Sequence, residues 1–378
     1  MLAASDIPNM VASRMDSLPS SGIRRVFDLA ATLKDPIDLS MGQPDFDVPE
    51  PIKQAAISAI RDGYNGYTVT QGIPELRERI AHSLAEEFDS STFGDSVLVT
   101  SGVSGALMLA LMATIDPGDE VIVPDPYFVS YPHMVELSGG KAVTVSLYDS
   151  FRLDPQRIAD AVTDRTKAIL VNSPGNPTGT VHAPEDIEAV SRLARDRGLL
   201  LISDEIYDRL CYDGPASSPV RFAPEQTLLL RGFGKTYGMT GWRMGFAAGP
   251  TAVIDAMAKL QQYTFVCAPH MAQRGCLAAF DVDMTDQIDA YRRKRDLAVA
   301  ELADHFEFAK PAGGFFVFAK VPKRYESGER FMEAALAKNL LLIPGHAFSR
   351  QDTHFRISYA VDNERLRRGC SILRDLSG

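Results

Sequence analysis

Cysteine is scarce in this chain: four in 378 residues, Cys211, Cys267, Cys276 and Cys370, with no C-x-x-C pair among them. That spacing excludes the usual zinc patterns and argues against a disulfide framework, so free thiols in a reducing compartment are expected. The seven histidines fall into neither H-x-x-x-H nor H-E-x-x-H spacing, and no metal site is predicted. No apolar run reaches the length needed to span a bilayer. The segment Met1–Met10 carries Asp6 and Pro8 and lacks a charged stretch leading into an apolar one, so no export signal is read and the cytoplasm is the expected location. Positive charge is also short: Lys and Arg number 39 against 49 Asp and Glu, a formal net charge of −10. Nucleic acid, whose phosphates demand a basic face, is therefore not an expected partner.

The remaining composition is that of an ordinary soluble globular protein, 45% hydrophobic and 23% charged. The length suffices for a sizeable core and two lobes. From about Val97 to Ala248 short apolar runs alternate with amphipathic stretches. Strands are predicted at Val97–Thr100, Glu120–Val123, Ala142–Val145, Ala168–Asn172, Leu199–Ser203, Leu228–Arg231 and Met244–Ala248. Helices are predicted between them at Ser104–Ile115, Val129–Gly139, Asp154–Ala161 and Glu185–Arg197. Such alternation implies an α/β fold with a mostly parallel sheet covered on both faces.

Beyond Asp283 the pattern changes to a long polar helix up to about Phe306. Strands near Gly314–Ala319, Leu341–Pro344 and Thr353–Ser358 follow, then a last helix over Asp362–Leu376. These elements read as a smaller α+β lobe, joined by the N-terminal arm up to about Asp45.

Ligands of open α/β sheets bind beyond the carboxyl ends of the strands. Ser101, Asn172-Ser-Pro-Gly-Asn176, Asp204 and Lys235 each follow a predicted strand, and therefore share one edge. Lys235 lies in the glycine-rich stretch Gly232-Phe-Gly-Lys-Thr-Tyr-Gly-Met-Thr-Gly-Trp-Arg-Met-Gly245, eight positions before Arg243. A lysine there can form a Schiff base with an aldehyde, and a nearby arginine can grip a phosphate bidentately. An aldehyde that carries a phosphate is pyridoxal 5'-phosphate (PLP); a solvated basic loop is the other reading.

The turn Thr100-Ser-Gly-Val-Ser-Gly105 leads from strand to helix, which suits either an anion at the helix start or a plain connection. It is neither a G-x-G-x-x-G nor a Walker loop. Asp204 ends an apolar strand, where it either meets a cation or caps a helix. Arg356, in His354-Phe-Arg-Ile-Ser-Tyr-Ala360, lies inside an apolar strand. It either pairs internally or grips a carboxylate.

The segment around Lys235 resembles the lysine region of the class I/II aminotransferases, the fold-type I PLP enzymes. Further strings fit that family in order: Y-x-x-x-x-G-x-x-E-L-R at Tyr67, the T-x-G-x-x-x-A-L loop at Thr100, N-P-T-G at Asn176, D-E-x-Y at Asp204 and R-I-S-Y-A at Arg356. The resemblance implies a large PLP-binding domain over 46–280 with a seven-stranded sheet, and a small domain from 1–45 and 281–378.

It makes Lys235 the lysine of the Schiff base and Arg243 the phosphate arginine. Gly102, Val103 and Ser104 become backbone contacts to the phosphate, and Asp204 the partner of the pyridine nitrogen. Tyr207 and Asn176 flank the ring's phenolic oxygen, and Phe128 covers the ring face where relatives usually carry Tyr or Trp. Arg356 and Gly42 contact the substrate, the first its α-carboxylate. Tyr67 reaches the phosphate of a neighbouring subunit, which implies a homodimer with shared sites.

One departure is that Gly232 and Gly234 stand where many relatives place serine, so a hydroxyl that would bond the phosphate is missing. The implied activity is amino transfer from an L-amino acid to a 2-oxo acid such as 2-oxoglutarate. A PLP-dependent carbon–sulfur β-lyase and a non-catalytic PLP-fold binding protein are the alternatives. With Val103 and Ser104 in the phosphate turn, no second-carboxylate clamp is evident, which favours neutral or aromatic donors while leaving aspartate open.

Overall fold

A computed structural model describes residues 10–15, 18, 26, 33–88 and 96–378. Much of the predicted arm over 1–45, including most of the segment Met1–Met10, lies outside the described residues. The strands, in chain order, are β1 (Ile37–Asp38), β2 (Val97–Ser101), β3 (Glu120–Asp125), β4 (Lys141–Ser146), β5 (Thr166–Asn172), β6 (Leu200–Asp204), β7 (Thr227–Gly232), β8 (Met244–Ala248), β9 (Phe316–Lys320), β10 (Leu340–Leu341), β11 (Ile343–Pro344) and β12 (His354–Ser358).

Seven of these form one sheet in the order β2-β8-β7-β6-β5-β3-β4. β8 runs antiparallel to both its neighbours, while the other pairs are parallel. The sheet follows from strands that are apolar on both faces. Neighbouring residues are split by the two-residue period between separate cores. Val121, Leu170 and Ile202 pack with Leu107 and Ile254 on one face, whereas Ile122, Ile169 and Leu201 pack with Ile187 and Val190 on the other. Each such side chain contributes roughly 1.5–3 kcal/mol on burial.

Crossover helices supply the covering layers. Pro184–Arg197 starts with proline followed by Glu185 and Asp186, ends with Arg195 and Arg197, and is closed by Gly198 at φ 64°. This charge order complements the helix dipole, and the left-handed terminus suits glycine.

A second layer system gathers the C-terminal part. β11, β12 and β9 make an antiparallel sheet, and β1 pairs parallel with β10. Helices Thr285–Leu302 and Asn363–Asp375 pack over a core that includes Leu39, Tyr291, Phe315, Phe331, Phe355 and Leu366. The single strand expected over Leu341–Pro344 is instead two short ones, β10 and β11, in different sheets. Pro344 has no N–H to give a ladder, and β11 is accordingly an edge strand.

The antiparallel β8 between β2 and β7 has a positional consequence. The carboxyl ends of β2, β5, β6 and β7 lie on the same edge as the amino end of β8. Asn172, Asp204, Gly232 and the residue before Met244, which is Arg243, are thereby brought to one rim.

Candidate active site

At that rim lies a cavity of about 380 Å³. Gly42, Gly102, Val103, Ser104, Phe128, Asn176, Asp204, Tyr207, Lys235, Arg243 and Arg356 all line it. Tyr67 does not; it lies 85% exposed on the surface of this chain.

One end is built for an anion. Helix Gly102–Thr114 begins directly after β2, and Ser101 makes no side-chain cap bond, so the first N–H groups remain available to a ligand. Arg243 sits at φ 55° and its Nη1 donates to the Thr240 carbonyl at 3.1 Å. Gly102, at φ +68°, lies so close that a Cβ there would meet the Arg243 guanidinium at 2.7 Å. Gly245 is equally constrained, since a Cβ would lie 2.7 Å from the Gly102 carbonyl carbon. Two glycines thus let a guanidinium and a helix start converge.

Asp204 ends β6 and is 4% exposed. Its Oδ2 accepts from the Tyr131 hydroxyl at 2.8 Å and its Oδ1 from the Ile206 N–H at 3.1 Å. The second bond makes a turn, and no helix starts there, so helix capping is not its role. Burial raises its pKa to about 6 against the pull of Tyr131; a cationic partner would restore full ionisation. Asn172 holds this turn, donating from Nδ2 to the Asp204 carbonyl at 2.9 Å and accepting from the Asn176 N–H at 2.9 Å. Tyr207 is buried and hydrogen-bonded by Asn176; desolvation raises its pKa.

Lys235 follows β7 and is partly buried. Its Nζ donates to the Gly42 carbonyl. It lies 5.9 Å from the Tyr207 ring centroid and 5.7 Å from that of Phe315. Desolvation first, then the charges of Arg356 and Arg243, lower its pKa to about 8, with Asp204 opposing. Roughly a tenth of the amine is then neutral at pH 7, far more than for an ordinary lysine near 10.4.

Arg356 is 1% exposed on β12. Its Nη1 donates to Asn176 Oδ1 at 3.0 Å and its Nη2 to the Ser40 carbonyl at 2.7 Å, while Nε has no partner. The guanidinium lies 4.3 Å from the Phe316 ring centroid and 4.6 Å from that of Phe348. Among the described residues no carboxylate pairs with it, so an internal ion pair is not what holds it. Desolvation lowers its pKa to about 10. A buried guanidinium without an anion is costly unless a ligand supplies one.

Phe128 stands at the cavity wall, edge-on to Tyr131 with centroids 5.5 Å apart. Tyr131, Ser40 and Phe348 have no part in the site expected from the sequence, whereas Asn172 falls on the expected edge and its role here is to hold the Asp204 turn. The aromatic triple in Asp125-Pro-Tyr-Phe-Val-Ser-Tyr131 was the available signal for Tyr131. A Cβ added at Gly42 would meet nothing closer than Phe316 at 3.8 Å, and the contribution of Gly42 is the carbonyl that accepts from Lys235. His346 does not line the cavity; it faces Asp352 at 3.3 Å.

Comparison with known proteins agrees with this geometry. A profile of the family described as aminotransferase class I and II matches residues 34–373. The chain is 37% identical to a probable aspartate aminotransferase of Methanocaldococcus jannaschii over 97% of this chain and 100% of that protein. It is 41% identical to the aspartate/prephenate aminotransferase of Thermus thermophilus over 88% of this chain and 89% of that one. Among solved structures, Thermus thermophilus aspartate aminotransferase with maleate superposes with a TM-score of 0.91 at 38% identity, covering 97% of this chain and 99% of that one. Aspartate aminotransferase from Thermotoga maritima gives 0.93 at 34%, with the same coverage.

Proposed function

The chain belongs to the class I and II aminotransferases, and on that footing we propose that its cavity binds PLP and moves an amino group from an L-amino acid to a 2-oxo acid such as 2-oxoglutarate. The residues fit the cofactor. The Gly102 cradle and Arg243 suit a phosphate, Asp204 suits a ring cation, and Lys235 suits an aldehyde. Lys235 carries the reading, as an amine of depressed pKa that shares one cavity with Asp204, Arg243 and Arg356.

Arg243 with the N–H groups of Gly102, Val103 and Ser104 would hold the phosphate. Asp204, kept in place by Tyr131 and Asn172, would hold the pyridine nitrogen in its protonated form. Tyr207 and Asn176 would bond the phenolic oxygen, Phe128 would cover the ring, and Lys235 would hold the aldehyde carbon. When bound, PLP supplies an electron sink for the pair left on the substrate's α-carbon.

Arg356 orients the donor by its α-carboxylate, a charge-assisted contact of about 1.5–3 kcal/mol. Gly42 and its carbonyl line the substrate side. Lys235 Nζ, once free, takes the proton from the donor's α-carbon and in the return half-reaction gives one to the same carbon of the oxo acid.

We propose further that 46–280 form the large domain, and 1–45 with 281–378 the small one. A second copy of the chain would complete the site through Tyr67. In support, Tyr67, Val69, Tyr263 and Phe265 are exposed, and their segments are tied by Gln261 Nε2 donating to the Thr70 carbonyl at 2.7 Å. Grouped exposed apolar residues of this kind suit an interface. Cysteine usage supports a cytoplasmic setting, and no helix among the described residues is long and apolar enough to cross a membrane.

The test is amino transfer by the PLP-loaded protein from a panel of L-amino acids to pyruvate and to 2-oxoglutarate, with Lys235→Ala as control. New amino acid formed by the wild type and not by the variant is expected; equal rates refute the assignment. Pyruvate released from cysteine conjugates without an acceptor would instead point to the β-lyase.

A further inference from the structure

We infer that the donor selected by this cavity is an L-amino acid with an uncharged, apolar side chain. The inference rests on the aminotransferase reading above and narrows it. Among the described residues of this chain, three cations line the cavity, Lys235, Arg243 and Arg356, with one carboxylate, Asp204. Each cation is already committed: Lys235 to the aldehyde and then, once free, to the donor's α-proton, Arg243 to the phosphate at the Gly102 cradle, Arg356 to the α-carboxylate.

Arg356 cannot serve two carboxylates. Two of its nitrogens already donate to Asn176 and Ser40, and its two ring neighbours, Phe316 and Phe348, lie within 4.6 Å. A side-chain carboxylate entering beside the α-carboxylate would thus find no uncommitted cation among the described lining residues of this chain, and would meet Asp204's charge within the same enclosure. Desolvating an unpaired carboxylate is unfavourable. The polar groups left, Gln43, Ser104 and Thr240, are neutral, and neutral hydrogen bonds are about half as strong as charge-assisted ones.

What remains of the wall is apolar. Met41, Leu107, Met134 and Met239 line the cavity, from the arm, the phosphate-turn helix, helix Ser130–Leu137 and the loop after Lys235. Thioether side chains adapt to guests of different shape. Each buried methylene of a donor should raise kcat/KM roughly fourfold. Loss of a charge-assisted partner should hold aspartate about tenfold to a hundredfold below leucine, methionine or phenylalanine. The acceptor enters the same cavity, so pyruvate or a branched 2-oxo acid should show a lower KM than 2-oxoglutarate.

The test has two arms, both on the full-length protein in its native assembly. In the first, the PLP-loaded enzyme is mixed with one donor at a time and no acceptor, and the change in cofactor absorbance gives the half-reaction rate. In the second, 4-methylpentanoate and succinate, which lack the amino group and cannot react, are titrated by calorimetry. The expected result is leucine, methionine or phenylalanine at least tenfold ahead of aspartate, with 4-methylpentanoate binding at least tenfold more tightly than succinate. Aspartate reacting as fast or faster, or succinate binding as tightly, overturns the inference. If no donor reacts at all, the aminotransferase reading fails instead, and the order of the two acids alone decides this one.

Discussion

Replacing Arg356 by methionine separates a functional guanidinium from a structural one. Burial lowers its pKa to about 10, a displacement from the ordinary value that corresponds to about 3 kcal/mol. The sign follows from which form is disfavoured: the charged form is penalised at every pH below about 10, so the cost is full at pH 7 and is relieved only above that value. Against it stand two hydrogen bonds from this charged donor, to Asn176 and Ser40, at about 1.5–3 kcal/mol each, and two ring contacts at about 0.5–1 kcal/mol each. These exceed the penalty by roughly 1–5 kcal/mol. Arg356→Met should therefore lower the unfolding free energy of the cofactor-free protein by an amount in that range, so stability alone does not identify the role and the kinetic change decides it. Over the same change, kcat/KM for the donor should fall about tenfold to a hundredfold from the lost carboxylate contact. Urea denaturation and steady-state kinetics measure the two quantities. An unchanged kcat/KM would refute the reasoning.

Other perturbations probe the cofactor side. Tyr131→Phe removes a hydrogen bond of about 1.5–3 kcal/mol to the Asp204 carboxylate. It should lower kcat roughly 10- to 100-fold while PLP still binds, and an unchanged kcat would deny Tyr131 a positioning role. Gly102→Ala places a methyl 2.7 Å from the Arg243 guanidinium at a φ of +68°. Because the guanidinium end can swing away, the expected effect is at least a tenfold weaker Kd for PLP, with a stability loss of about 1–2 kcal/mol; wild-type affinity would place the phosphate elsewhere. The rate of PLP capture by the cofactor-free protein should climb through pH 8 and level above it, since the neutral amine is the nucleophile and its pKa lies near 8. A rate still climbing towards about 10.4 would show an ordinary lysine.

Much of the sheet was legible because its strands are buried on both faces and therefore continuously apolar. Met244–Ala248 matches β8, and the runs at Val97, Ala142 and Leu199 fall within a residue of β2, β4 and β6 at each end. Local periodicity carries no information on partner order, so the antiparallel insertion of β8 between β2 and β7 was not foreseen. The split at Leu341–Pro344 was missed because a short apolar run looks alike whether it feeds one sheet or two. Lys235, Asp204, Asn176 and Arg243 were readable as strings, since each follows or precedes a strand at one rim. Tyr131 was not, because its bond to Asp204 joins residues 73 positions apart. Arg356 kept two readings in the sequence, and its orphaned Nε together with the lack of a described carboxylate partner favours the ligand-binding one.

The central claim is that one amine, Lys235, takes up an aldehyde cofactor. Incubating the purified protein with PLP, reducing with borohydride and mapping the peptides by mass spectrometry would locate that bond. The account predicts a single phosphopyridoxyl adduct on Lys235, absent from the Lys235→Ala variant. An adduct on another lysine, or none on protein that still transfers amino groups, would contradict it.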